Sequence, residues 1–116
     1  MITEDYVSFE TAKLLKEKGF GDDFCHTAYD CNGEFFWYGD YSKDRKGVMD
    51  APTLQMAMKW LREEYHIFIR VIQSHIEHCV CEIYYNSSSC YTFRTSFDSY
   101  EEACEEAIKY CLEKLI

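Results

Sequence analysis

The sequence has little proline and glycine and no excess of positive charge. Its 116 residues include one Pro and five Gly, which is too few for a flexible linker between two independent domains. We therefore expect a single domain over residues 1–116. The 21 acidic residues outnumber the 12 basic ones and give a formal net charge of −9. Because a nucleic-acid interface needs clustered cations, this balance argues against nucleic-acid binding.

A long apolar run is also missing. A membrane-spanning helix needs about 20 apolar residues, and the longest candidate here is broken by Arg70 and His75. Residues 1–6 are acidic and contain neither the basic region nor the apolar core of a secretory signal peptide. We therefore expect no membrane association and a cytoplasmic location. Apolar side chains are otherwise abundant, at 47% of the residues with 17% aromatic, which is enough for a folded core.

Cysteine is frequent, but its number and spacing do not indicate a structural or catalytic site. The odd count of seven argues against a disulfide framework. Residues 75–81 hold two His and two Cys, yet Cys79 and Cys81 on one strand face would lie about 6.5–7 Å apart, too far for one zinc ion. Cys25 and His26 would point to opposite faces of a strand, which excludes a catalytic dyad. We predict reduced thiols, no metal, no cofactor and no catalytic residue.

Three segments share a start that is typical of a helix N-terminus. Each has Ser or Thr, then an apolar residue, Glu or Gln, any residue and Ala, so the hydroxyl of Ser8, Thr53 or Ser99 can cap a helix. The predicted helices run from Phe9 to about Lys18, from Leu54 to about Tyr65, and from Tyr100 to near residue 116.

The third helix has the clearest apolar side. Small and apolar residues, including Cys104 and Cys111, repeat along one side of it. The paired acids Glu101-Glu102 and Glu105-Glu106 fall away from this stripe, and we expect them to face solvent. The pattern predicts a helix that clamps the core.

An aromatic hairpin is predicted around Asn32-Gly33. A two-residue type I′ turn at this dipeptide would pair Tyr29 with Phe36. That register places Phe35 and Trp37 on one face of the hairpin and Phe36 on the other. We expect the face of Trp37 to stay open and Phe36 to be buried.

The remaining segments complete an α+β pattern. Residues 39–51 form a polar, charged loop. Residues 67–72 and 79–85 are rich in β-branched and aromatic residues, as strands are, and residues 90–94 form a possible short strand. The predicted order is α-ββ-α-ββ(β)-α, an α+β domain with three helices and a mostly antiparallel sheet of four to five strands.

Three strings of the sequence, YVSFETAKLLKEKGF over 6–20, APTLQMAMKWLRE over 51–63 and YEEACEEAIKYCLE over 100–113, resemble a set of small uncharacterised proteins encoded by phages and prophages of gut anaerobic bacteria. They cover a third to a half of the chain, in the same order. The resemblance implies a phage or prophage origin and an anaerobic host cytoplasm. It implies no activity, cofactor or functional residue.

The aromatic residues point to protein binding, because Tyr and Trp are enriched at interfaces. We predict a non-enzymatic accessory protein that binds a host or phage protein, or a second copy of itself, through an aromatic sheet face and the 39–51 loop. The candidate binding residues are Phe35, Trp37, Tyr41, Arg45 and Lys46.

Two other hypotheses stay open. One is an anti-defence or ligand-sequestering module that holds a small metabolite or nucleotide between aromatic rings, with Arg45, Lys46 or Arg70 neutralising a phosphate; a concave pocket with convergent cations would favour it. The other is a metal-dependent or thiol enzyme, which would require bound metal or a cysteine with a perturbed pKa in a cleft.

Overall fold

A computed structural model describes residues 4–21, 25–37, 48–75, 78–85 and 89–116. Within these ranges the α+β class and the three helices are confirmed. The helices are α1 (Phe9–Glu17), α2 (Leu54–Tyr65) and α3 (Tyr100–Tyr110), with a π-helical turn at Cys111–Leu115. The strands are β1 (Thr27–Tyr29), β2 (Phe35–Trp37), β3 (Met49–Asp50), β4 (Ile67–His75), β5 (His78–Tyr85) and β6 (Ser89–Phe97).

The three predicted N-caps are confirmed. The side chains of Ser8, Thr53 and Ser99 each accept a hydrogen bond from the N–H group three residues later, at 3.2, 3.1 and 3.1 Å. These bonds satisfy donors that have no partner inside the helix. Helix α1 stops where Gly19 adopts a positive φ of 91°, as a helix-ending glycine does.

The strands form two antiparallel sheets, whereas the sequence predicts one. The smaller sheet has the order β2-β1-β3 and the larger one β4-β5-β6. Strand β3 lies inside the predicted 39–51 loop and pairs with β1. Next to it, the Thr27 hydroxyl donates to the carbonyl of Ala51 (2.6 Å) and the Ala51 N–H donates to the carbonyl of Thr27 (2.9 Å). A hydroxyl that bonds across the strands reinforces this short pairing.

Helix α3 lies at the centre of the core. It contacts β4, β5 and β6 of the larger sheet and also α1 and α2. Small side chains allow this close approach, and the buried ones are Ala103, Cys104, Ala107 and Ile108. Strand β5 supplies the opposite wall through Cys79, Cys81 and Ile83. Helix α3 therefore holds the core together as predicted. Helix α1 connects α3 to the smaller sheet, because α1 contacts both α3 and β3.

Glu105 corrects the expectation that the paired acids of α3 face solvent. Its carboxylate Oε1 accepts hydrogen bonds from the hydroxyl of Thr11 (2.6 Å) and the N–H of Ser8 (3.1 Å). Its Oε2 is buried with no hydrogen-bond partner among the described residues. The other three acids are exposed. Glu105 therefore ties α3 to the start of α1, a long-range contact that helical periodicity does not reveal.

The β1–β2 hairpin has a register one residue away from the predicted one. Tyr29 lies opposite Phe35 and Ala28 lies opposite Phe36. Paired residues share a face, so Phe35 and Trp37 lie on the face of Tyr29 rather than on that of Ala28.

A three-residue loop explains the shift. The N–H of Gly33 donates to the carbonyl of Asp30 (3.0 Å), and the Asp30 N–H donates to the carbonyl of Glu34 (2.9 Å). Gly33 has a φ of 83°, and the Asp30 carboxylate accepts from the N–H groups of Asn32 and Glu34, both at 2.9 Å. This is a type I turn followed by a glycine bulge, an alternative to the two-residue turn.

In the described part of the chain, no helix has the length and apolar character that crossing a membrane would require.

Candidate functional site

A small cleft opens on the face of the smaller sheet that carries Trp37. Its volume is about 170 Å³, close to the size of engineered cavities that hold one benzene ring. The walls are mostly aromatic or apolar, and they comprise Tyr6, Cys25, His26, Thr27, Trp37, Pro52, Thr53 and Met56. We call this feature the aromatic cleft.

Long-range pairing brings the two sides of the cleft together. Tyr6 forms an isolated antiparallel bridge with Thr53, and the N–H of Val7 donates to the carbonyl of Pro52 (3.0 Å). The hydroxyl of Tyr29 donates to the carbonyl of Val7 (2.7 Å), which ties the segment before α1 to β1. The cleft is thus built from the start of α1, the start of α2 and the hairpin.

Exposed apolar side chains rim the cleft. Trp37 is 67% exposed, Phe35 44% and Met56 42%. The Tyr6 and Phe35 rings lie 4.9 Å apart, and the His26 and Trp37 rings lie 5.7 Å apart at an interplanar angle of 33°. Since Phe35 lies against Tyr6 and the other residues line the same cleft, we call this group the aromatic patch: Tyr6, His26, Phe35, Trp37 and Met56.

The structure brings together part of the predicted site. Phe35 and Trp37 share the exposed face, as predicted. Phe36 is half-buried, short of the full burial predicted for it. Tyr41, Arg45 and Lys46 lie outside the described residues.

Arg70 does not reach the aromatic cleft. It lies on β4 of the larger sheet, opposite Glu82 of β5. None of the described residues that line the cleft is Lys or Arg, so the described lining offers no cation for a phosphate group. The predicted phosphate site therefore gains no support from Arg70.

Tyr6 and Met56 were missed by the sequence interpretation. Tyr6 precedes the N-cap of α1, and Met56 lies in the first turn of α2 on its exposed side. An apolar residue on the polar side of a helix is the available signal for Met56. The pairing of Tyr6 with Thr53 has no local signature.

Cys25 and His26 both border the cleft, where His26 is exposed. They directly precede β1. Cys25 is buried, and its thiol donates to the carbonyl of Thr27 (3.3 Å).

The core thiols stay protonated near neutral pH. Burial raises the pKa of Cys81 to about 12, that of Cys104 to about 11 and that of Cys111 to about 12. Since the thiolate is the nucleophile, these cysteines are poor candidates for catalysis. Over the described ranges, no group of three or more His, Cys, Asp or Glu side chains is arranged to hold a metal ion.

No protein-family model, curated protein or solved structure matches the chain. The phage or prophage origin implied by the sequence resemblance stays a prediction. The aromatic patch and the aromatic cleft are therefore the features of the molecule that bear on its function.

Proposed function

We propose that the chain is a non-enzymatic binding protein that captures another protein through the aromatic patch. The observation that carries this proposal is the exposure of Trp37, at 67%, beside a cleft that can accept one side chain. Exposed rings that adjoin a cavity resemble the anchor sites of protein interfaces, where aromatic residues contribute most of the affinity. Covering a ring such as Trp37 contributes about 2 kcal/mol.

The proposal includes the origin and location expected from the sequence. A phage or prophage protein that acts in the bacterial cytoplasm would meet host or phage proteins as partners. The absence of Lys and Arg from the described cleft lining favours such a partner over a nucleotide. Sequestering of a small metabolite stays as the second candidate, because the cleft volume of about 170 Å³ also fits a single ring.

Site-specific photo-cross-linking in bacterial cells tests the proposal. We place p-benzoylphenylalanine at Phe35, beside the cleft, and at Phe68, which is 50% exposed on the larger sheet. We expect protein adducts at position 35 and few at position 68. Adding Trp37→Ala to the position-35 variant should remove most of the adducts, because the anchor is lost.

Two results would contradict the proposal. One is an equal adduct pattern at positions 35 and 68, which would indicate collisions rather than binding. The other is an adduct yield at position 35 that Trp37→Ala leaves unchanged. Circular dichroism of each variant confirms that the comparison is between folded proteins.

A further inference from the structure

Strand β2 is an edge strand whose outer backbone groups are unpaired among the described residues. The sheet order β2-β1-β3 places β1 in the middle. Thr27 of β1 bonds toward β3, since its carbonyl accepts from the N–H of Ala51. Successive residues of an antiparallel strand bond to alternate sides, so Ala28 bonds toward β2.

This alternation decides which groups of β2 face outward. Ala28 is paired with Phe36, so the Phe36 backbone faces β1. The N–H and C=O groups of Phe35 and Trp37 therefore point away from β1, toward an edge of the sheet that no described strand covers. The same two residues carry the exposed rings of the aromatic patch. Unpaired strand edges of this kind are templates for another strand.

We propose that the partner binds by adding an extended, basic peptide segment to the edge of β2. This inference rests on the proposed function and names the form of the partner. Main-chain hydrogen bonds to Phe35 and Trp37 supply affinity, and alternate side chains of the segment pack beside the two rings, as in other cases of strand addition.

The negative charge of the protein and of residues beside the aromatic patch favours a basic peptide segment. Glu34 and Asp5 are exposed and adjoin Phe35 and Tyr6 in the chain, and the protein carries a net charge of −9. A Lys or Arg side chain can lie over the exposed ring of Trp37, because aromatic faces attract cations. A second copy is disfavoured as the occupant, since two chains of charge −9 repel each other.

Peptide selection tests this inference. A displayed library of random twelve-residue linear peptides is selected on the purified protein and counter-selected on Trp37→Ala. We expect the enriched peptides to carry an excess of Lys and Arg and to alternate apolar residues with others. Synthetic copies are then N-methylated one residue at a time. Methylation at alternate positions should weaken binding at least about tenfold, because those N–H groups donate to the edge of β2.

The outcomes separate this inference from the proposed function. Peptides that need Trp37 but tolerate N-methylation at every position would overturn strand addition and leave the binding function standing. Enriched peptides without basic residues would overturn the charge selection. The absence of any Trp37-dependent peptide would overturn the proposal that the partner binds through a linear segment. The proposed function itself is tested separately, by cross-linking at Phe35. Concentration-dependent dimerisation that Trp37→Ala abolishes would identify a second copy as the occupant and would overturn the proposal of a basic peptide segment.

Discussion

Glu105 links two helices through one carboxylate. Its Oε1 accepts from the buried hydroxyl of Thr11 and from the N–H of Ser8 at the start of α1. Hydrogen bonds to a charged acceptor are stronger than those between neutral groups. The contact therefore adds a charge-assisted bond to the N-cap that Ser8 already makes.

We expect Glu105→Ala to lower the free energy of unfolding by about 2 kcal/mol, because it removes both bonds and leaves the Thr11 hydroxyl buried without this acceptor. The matched control is Glu106→Ala, one residue along α3 and exposed, which should change stability by less than about 0.5 kcal/mol. Urea unfolding measures both. Equal values for the two variants would contradict the role of Glu105.

The buried thiols make stability sensitive to alkaline pH. In the folded protein the pKa of Cys111 is about 12, above its ordinary value of 9.0. Below pH 9 the thiol is protonated in both states, so its contribution is fully present. As the pH rises from about 9 to about 12, the unfolded chain releases the proton and the folded protein keeps it, so stability falls.

We expect Cys111→Ala to reduce this loss of stability at alkaline pH. One such thiol changes the free energy of unfolding by at most about 1.4 kcal/mol per pH unit. Urea unfolding at about pH 8 and about pH 10, with reductant present, measures the slope for the protein and the variant. The variant should lose less stability over this interval. Identical slopes would show that the Cys111 thiol ionises alike in both states.

Among the elements, the β1–β2 hairpin depends most on a single backbone conformation. Gly33 has a φ of 83°, and a Cβ added there would lie 3.6 Å from the ring of Phe9, an ordinary contact. The expected penalty for a side chain is therefore one of backbone conformation rather than of space.

Gly33→Ala should lower the free energy of unfolding by about 1–2 kcal/mol. Gly21→Ala is the control, because a Cβ at Gly21 meets open space and the backbone there has no positive φ. That variant should be neutral or slightly stabilising. Thermal unfolding compares the two. A Gly33→Ala protein as stable as Gly21→Ala would contradict the bulged turn.

The hairpin also shows a limit of prediction from local sequence. The N-caps at Ser8, Thr53 and Ser99 could be predicted because a cap involves residues three positions apart. The type of turn in the hairpin could not be predicted, since Asn32-Gly33 suits both a two-residue turn and a bulged loop. The Asp30 carboxylate decides between the two by accepting two backbone N–H groups.

On the scale of the whole molecule, the sequence predicts the α+β class but not the division into two sheets. Helix periodicity and strand composition are local properties, and they predict three helices and most strands. Strand β3 has two residues, too few for a periodic signal. The aromatic cleft joins Tyr6, Trp37 and Met56 through long-range pairing. Its exposed Trp37 could be predicted, whereas its other members could not.

The excess of negative charge should oppose folding. A formal charge of −9 produces repulsion across the molecule, and salt shortens its range from about 10 Å at 0.1 M to about 3 Å at 1 M. We expect the melting temperature to rise as NaCl increases from about 0.05 M to about 0.5 M.

A charge-reversal variant isolates this effect from other actions of salt. Glu64 and Glu113 are exposed, and replacing both with Lys raises the net charge by about four units at pH 7. The melting temperature of the variant should rise less with NaCl than that of the parent protein. An equal gain in melting temperature for both would show that repulsion between acids is not the cause.

The separation of the two sheets has a consequence for how this protein can evolve. Of the described residues, the central core cluster includes members from α3, β5 and both other helices but none from β2. Substitutions on β2 can therefore change the proposed binding surface while leaving the scaffold that supports it intact. If that surface binds a partner as proposed, a lineage could exchange one partner for another through a few changes at positions 35 and 37, with little loss of fold stability at each step.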